Sequence, residues 1–275
     1  MFPEFKIFNL TIHMYGLWFC VGVVMCLIFA IVAMKISGYS RTAIDTIITI
    51  GIFAIIIGVL SGMFFQAIYN AIDGKGFNLN GGMTFIGGLI GGVLAFLALY
   101  FLYVRVINPR LKNTNYFKSE MNKGVWYLIR IAPISITIAH GFGRIGCLFA
   151  GCCHGKPTND WCGIYSENAG TTVIPLQLYE AIFLFLLAGF LAFLFFKFRS
   201  KDTMAIYLVS YGIWRFIIEF FRADERGSFI GNLSPSQFWS IIMVVGGIAF
   251  FFIYRYFDKK IEAKENEKET QVQLN

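Results

Sequence analysis

Apolar residues run along the chain in seven stretches, at about 15–34, 43–69, 83–104, 125–149, 177–196, 203–221 and 237–257. A helix needs about 20 such residues to cross the hydrocarbon core of a bilayer. The pattern therefore predicts an all-α polytopic integral membrane protein with about seven transmembrane helices. Polar residues gather between the stretches, with turn chemistry at Asp73-Gly74, Asn80-Gly81-Gly82, Gly155-Lys156-Pro157 and Ser234-Pro235. The longest loops are about 25 residues, too short for a separate soluble domain. Residues 1–257 read as one seven-span membrane domain. Residues 258–275 read as a polar, highly charged tail, expected to be disordered. No repeat of fixed period and no low-complexity block interrupts this order. Met1 to His13 carries a single Lys6 and no small-residue cleavage site, so no cleaved signal peptide is expected.

Composition agrees: 57% of the 275 residues are hydrophobic and 14% charged, where a soluble domain has roughly a quarter charged. The net charge of +7 would suit nucleic acid, but its distribution points elsewhere. One set of loops carries Lys35 and Arg41, then Arg105, Arg110, Lys112, Lys118 and Lys123, then Lys197, Arg199 and Lys201, and the tail adds five more basic residues. The alternate set has only Lys6, Lys75, Lys156, Arg222 and Arg226. By the positive-inside rule the N-terminus lies outside and the C-terminus in the cytoplasm, and no nucleic-acid partner is expected.

Charge inside a bilayer is costly and usually functional. The fourth stretch, WYLIRIAPISITIAHGFGRIGCLFAG, sets His140 and Arg144 one helical turn apart. Arg130 lies near a span end, where it can snorkel. The sixth stretch, AIYLVSYGIWRFIIEFFR, places Tyr211, Arg215 and Glu219 at successive i, i+4 steps, with Arg222 close behind. An internal Arg215–Glu219 pair is the plain structural reading. Against several arginines, however, Asp45, Glu180 and Glu219 are the only carboxylates in the seven stretches, so positive charge is left over. With the orientation above, Arg144, Arg215, Glu219, Tyr15 and the Gly-rich third stretch fall in the outer half of the membrane. Arginine grips phosphate oxygens in bidentate geometry, and a phospholipid headgroup is the anion found at that depth. The glycines of GGMTFIGGLIGG, Gly87 and Gly88 among them, suit either close helix packing or a backbone approach to ligand.

Cys20 and Cys26 read as apolar filler. Cys147, Cys152, Cys153 and Cys162 cluster with His154 around one loop. A disulfide or free thiols, a catalytic thiol and a metal site all remain open there, the last being a weak match to zinc spacing because no C-x-x-C pair is present. His13 and His140 read first as satisfied polar residues.

Five segments then carry a family resemblance. MYGLWF (Met14 to Phe19), GGMTFIGGLIGG (Gly81 to Gly92), GRIGCLFAGCCHGKP (Gly143 to Pro157), PLQLYE (Pro175 to Glu180) and YGIWRFIIEFFR (Tyr211 to Arg222) occur in that order, followed by SPSQFWS (Ser234 to Ser240). Together they resemble the prolipoprotein diacylglyceryl transferases of bacteria. The resemblance implies a plasma-membrane enzyme that takes phosphatidylglycerol and transfers its diacylglyceryl group to the lipobox cysteine of a prolipoprotein signal peptide. Glycerol 1-phosphate leaves, and no metal or organic cofactor is implied. Carried over by position, Arg144 matches the family's phosphatidylglycerol-binding arginine and Tyr15 its first-span tyrosine. Arg215 and Glu219 match its YGxxRxxxEFFR motif, and Gln177 and Tyr179 its QLYE. Tyr211, Gly87, Gly88 and Gly155 join the substrate-binding candidates. The chain departs from the pattern at Ile86, where the family has histidine before Gly-Gly, at Cys147, where it has asparagine, and at Cys152, where it has glutamate or another polar residue.

A thiolate displacing a phosphate ester builds charge on the departing phosphate, which Arg144 and Arg215 would stabilise. A base that deprotonates the thiol contributes about 10²–10⁴-fold. With Ile86 inert, His140, His154 and Glu219 are the candidates for it. Two other readings stand beside this one. The first is a related phospholipid transferase with a different acceptor or a cysteine nucleophile. The second is a non-catalytic lipid- or anion-binding membrane protein, although the paired repeats and broken helices common in transporters are not evident.

Overall fold

The computed structural model describes residues 4–7, 10–72, 74–79, 81–110, 115–223 and 233–274. The turn residues Asp73 and Asn80, and Arg226, lie outside the described residues, as do the side chains of Ile86 and of 258–274. Seven helices follow in order: α1 (Met14–Ile36), α2 (Arg41–Ile72), α3 (Phe85–Leu102), α4 (Asn115–Ala150), α5 (Leu176–Phe198), α6 (Thr203–Ile218) and α7 (Pro235–Leu274). Seven candidate spans, one drawn from each of these segments, are long and apolar enough to cross a membrane. Large apolar side chains such as Leu60, Leu186 and Phe252 stay exposed on them, as a hydrocarbon solvent permits and water does not. The third span carries on past α3 through a π turn, Tyr103–Ile107, and a 3-10 turn, Asn108–Arg110. Pro109 has no N–H for the helical ladder and crowds the preceding turn, which widens. The backbone of α7 stays helical to Leu274, across the tail whose polarity predicts disorder. The lysines, glutamates and glutamines there are good helix formers.

Two short hairpins, each of two antiparallel strands, accompany the helices. β1 (Glu4–Ile7) pairs with β2 (Leu10–His13), and β3 (Ile164–Ser166) with β4 (Thr171–Val173). Strands this short carry too few residues for an alternating pattern to show.

The chain forms two compact units: Met1–Phe29 with Leu128–Asn275, and Ala30–Tyr127. In the second, α2 and α3 pack backbone to backbone. A Cβ on Gly58 would sit 3.0 Å from the Gly88 carbonyl oxygen and 3.1 Å from Gly92 Cα, and one on Gly87 would sit 2.7 Å from Phe65 Cβ. The Ser61 hydroxyl donates to the Gly87 carbonyl at 3.0 Å. Ser40 caps α2 and is itself held by Glu120, whose Oε2 accepts from the Ser40 hydroxyl at 2.6 Å. Asp45 is exposed and 3.9 Å from Arg41 on the same helix.

In the first unit, α5 and α6 meet through Phe183 and Trp214, stacked at 4.4 Å. Trp18 of α1 stacks on Phe149 of α4 at 5.6 Å. Pro133 lies inside α4, where the Thr137 hydroxyl donates to its carbonyl at 2.5 Å. Arg130 donates from Nε to the Tyr254 hydroxyl at 3.2 Å rather than reaching away from the helices. The short loop into α6 is pinned by Asp202, whose two oxygens accept from Arg255.

Candidate active site

Connectivity brings one end of five first-unit helices together in the chain order: the start of α1, the last turns of α4, the first turn of α5, the end of α6 and the start of α7. Each delivers polar side chains that a helix buried in apolar surroundings must pair or neutralise. At the centre stands Glu180, 2% exposed. Its Oε1 accepts from the Tyr211 hydroxyl at 2.8 Å, and its Oε2 lies 3.0 Å from Arg144 Nε. His140 approaches the same carboxylate at 4.0 Å, and its ring sits edge-on to Tyr211 at 5.0 Å. The Arg144 contact is close but not aligned as a hydrogen bond, since Nε has no hydrogen-bond acceptor among the described residues. Charge attraction holds Arg144 there.

A second cluster lies at the end of α6. Arg215 Nη2 is 2.9 Å from Glu219 Oε2 and donates to the Ser236 hydroxyl at 3.0 Å. Glu219 Oε1 accepts from the Ser234 hydroxyl at 3.0 Å, and Arg222 Nε lies 3.9 Å from Oε2. Three buried or nearly buried arginines, Arg144, Arg215 and Arg222, thus face two carboxylates, Glu180 and Glu219. Arg215 Nη1 is buried with no hydrogen-bond partner among the described residues, and so is Gln177 Oε1. Glu219 Oε2 is likewise buried without a hydrogen bond among the described residues. Buried polar atoms left unsatisfied are expensive, and here they include the donor Arg215 Nη1 and the acceptors Gln177 Oε1 and Glu219 Oε2.

The loop after α4 supplies sulfur. Gly151, at φ 69°, ends the helix in a Schellman turn: Cys152 N–H donates to the Cys147 carbonyl and Gly151 N–H to that of Leu148, both at 3.2 Å. This motif brings the residue after the glycine back onto the one five positions earlier, and here both are cysteines. Cys153, also in the left-handed region at φ 64°, returns a third thiol, so that the three Sγ atoms lie within 4.8 Å of one another. Thiol hydrogen bonds from Cys147 and Cys152, reinforced by Arg222, hold the Cys153 thiol well below its ordinary pKa against the opposing effect of burial. Tyr15 packs against Gly146 near this group and Arg144. Gln177 anchors the loop, its amide donating to the Cys152 carbonyl at 2.5 Å.

Of the residues expected from the sequence, His140, Arg144, Tyr211, Arg215, Glu219, Gln177 and Tyr15 converge at this end, with Cys147, Cys152 and Cys153. The remaining expected residues are placed as follows. Tyr179 faces Cys162 and Asp160. His154 is half-buried with Nδ1 3.1 Å from the Gly155 carbonyl. Gly155 is a crossing point: a Cβ there would lie 2.9 Å from Ile174, Leu176 and the Phe221 carbonyl. Gly87 and Gly88 belong to the second unit, on α3 against α2. Glu180, the hub of the first cluster, is not among the expected site residues, nor are Ser234, Ser236 and Arg222. Their signal was in the chain: Glu180 is one of three carboxylates in the spans, and the serines lie in the SPSQFWS segment.

A family model described as prolipoprotein diacylglyceryl transferase matches residues 4–253. Curated relatives agree along nearly their whole length. The phosphatidylglycerol–prolipoprotein diacylglyceryl transferase of Clostridium tetani (strain Massachusetts / E88) is 33% identical over 92% of this chain and 97% of its own. A second protein of that name, numbered 2, from Clostridium perfringens (strain 13 / Type A), is 31% identical over 93% and 96%. One from Dehalococcoides mccartyi (strain ATCC BAA-2266 / KCTC 15142 / 195) is 30% identical over 95% and 96%.

Proposed function

We propose, for a chain that belongs to the prolipoprotein diacylglyceryl transferase family, that it transfers the diacylglyceryl group of phosphatidylglycerol to the lipobox cysteine of prolipoproteins. Glycerol 1-phosphate is the leaving group. The observation that carries this reading is the surplus of buried guanidinium at one end of the first unit, with Arg215 Nη1 unpartnered among the described residues. A phosphodiester bound there satisfies the idle donors. As the acceptor sulfur attacks the glycerol carbon, the C–O bond breaks toward phosphate, and Arg144 and Arg215 stabilise the second negative charge that grows there. Such preorganised donors give the largest single contribution to many enzymatic rates. Tyr211 and His140 flank Glu180, which holds Arg144 in place by charge.

Loop charges support placing this end at the outer leaflet of a bacterial plasma membrane, the N-terminus outside and the C-terminus in the cytoplasm. An acceptor on a secreted signal peptide and a phospholipid donor both reach that leaflet. The test is incubation of purified protein with headgroup-labelled phosphatidylglycerol and a lipobox peptide. Labelled glycerol phosphate and a diacylglyceryl-modified peptide are expected in equal amounts. Absence of both, in protein that is folded and binds the lipid, overturns the reading; headgroup release without peptide modification points to a different acceptor.

A further inference from the structure

The proposed reaction needs a nucleophilic sulfur, and among the residues assigned above none is given the task of activating it. The three-thiol cluster beside the arginines has no part in the mechanism above. Its geometry and charge suggest one.

Three cysteine sulfurs already lie within 4.8 Å of one another. Around zinc, with Zn–S near 2.3 Å, tetrahedral ligand sulfurs stand about 3.8 Å apart, so closing on an ion needs a contraction of about 1 Å at most. Thiolates select soft or borderline cations such as zinc and copper(I) over magnesium or calcium. The loop that carries two of the sulfurs is not slack: the Schellman turn, the Gln177 amide on the Cys152 carbonyl and the positive φ angles of Gly151 and Cys153 hold it. Charge balances as well. Three thiolates and one divalent cation sum to a single negative charge, beside Arg222, which hydrogen-bonds Cys153, and Arg144, which lies near Cys147 and Cys153. Structural zinc sites close on four protein ligands, whereas catalytic ones keep three and leave a position open. Among the described residues this group has three.

We propose that Cys147, Cys152 and Cys153 bind one thiophilic divalent cation, for which zinc is the natural candidate, and that its open fourth position takes the acceptor thiol. This rests on the transferase reading given above. Coordination strips the proton from an incoming thiol outright, and the proton passes to solvent. The metal-bound sulfur then uses a lone pair to form the C–S bond at the glycerol carbon, and the C–O bond breaks with its electron pair going to phosphate. The products are a neutral thioether, a poor ligand that dissociates, and glycerol 1-phosphate with one more negative charge than the diester carried. The cation keeps its oxidation state throughout. A metal-held thiolate thus takes the place of a general base, and neither His140 nor His154 is needed in that role.

Cobalt(II) tests this, because thiolate-to-cobalt charge transfer and the ligand-field bands report the ligand set directly. Full-length protein, purified in detergent without oxygen and reduced with a non-thiol reductant, should take up one cobalt per chain with thiolate absorption. Cys147→Ser, Cys152→Ser and Cys153→Ser should each lose that absorption, while Cys162→Ser keeps it. Adding a lipobox peptide should shift the ligand-field bands, and its cysteine-to-serine version should not. Zinc chelation should then abolish transfer, with zinc restoring it. No cobalt uptake, uptake indifferent to the three substitutions, a disulfide among them in protein as isolated, or bands unmoved by the thiol peptide would each overturn the proposal. Metal binding with thiol coordination but no phosphatidylglycerol turnover would leave the site standing and sink the transferase reading instead.

Discussion

Arg144 and Arg215 carry the same charge but are held differently. Both lie close to a carboxylate without an aligned hydrogen bond to it, but Arg215 also donates to the Ser236 hydroxyl, whereas Arg144 Nε has no hydrogen-bond acceptor among the described residues. If Arg144 grips a phosphate through its planar donor set, a lysine keeps the charge and loses the two-point geometry. Arg144→Lys is expected to lower kcat by about 10²-fold or more, the loss seen when one preorganised donor is removed, while membrane yield stays at the parent level. Near-normal turnover would make Arg144 a structural cation. Glu180 gives the converse case. Glu180→Gln keeps an acceptor for Tyr211 and removes the charge that faces Arg144, and breaking a buried pair from one side costs roughly 3–5 kcal/mol. The variant should melt at a lower temperature in detergent, and phosphatidylglycerol should recover more of the loss than it adds to the parent, because a bound anion takes the empty place. Equal lipid stabilisation of both would argue against anion binding at Arg144. Most of this cluster was legible as residue types: charges inside apolar stretches are rare enough to stand out. Glu180 reads in the sequence only as a neutralising charge, since pairing across α4, α5 and α6 is not written in the spacing of any one of them.

Elements were easier to read where hydrophobic length alone decides them, and all seven stretches correspond to helices. What length cannot show is which glycines are contact points and which are incidental. Within α2, a Cβ added to Gly51 would meet nothing within 4 Å, whereas one on Gly58 meets the backbone of Gly88 and Gly92 at 3.0 and 3.1 Å. Gly51→Ala should be neutral or stabilising by about 0.5–1 kcal/mol, from helix propensity. Gly58→Ala, on the same helix and with the same propensity gain, should instead reduce thermal stability, since two backbones must move apart. Measured in parallel, equal melting temperatures would show that the two helices do not rely on that approach. The hairpins and the Schellman turn escape a sequence reading for another reason: each is fixed by a few backbone hydrogen bonds, and only Gly151 and the polar loop residues hint at them.

Orientation belongs to the whole molecule, because no single loop decides it. Basic residues concentrate in alternate loops, so a cysteine introduced at Asp160 on a background without native cysteines should be labelled by an impermeant reagent from outside. One at Asn115 should react only after the cytoplasmic side is opened. The reverse pattern would remove the outer-leaflet site along with the topology. The segment at Gly155 bears on timing rather than on chemistry. Its N–H donates to Ile174, that of Lys156 to Phe221, and that of Thr158 to Thr172, at 2.8–2.9 Å, so the loop before α5 is laced to the end of α6. Amides in loops usually exchange with solvent deuterium quickly, and slow exchange marks units that open together. Gly155, Lys156 and Thr158 should exchange far more slowly than Asn168 or Gly170 nearby. A two-tailed lipid would then have to come and go without unlacing that seam, by a sideways route through the bilayer that leaves these deuterium clocks unchanged during turnover.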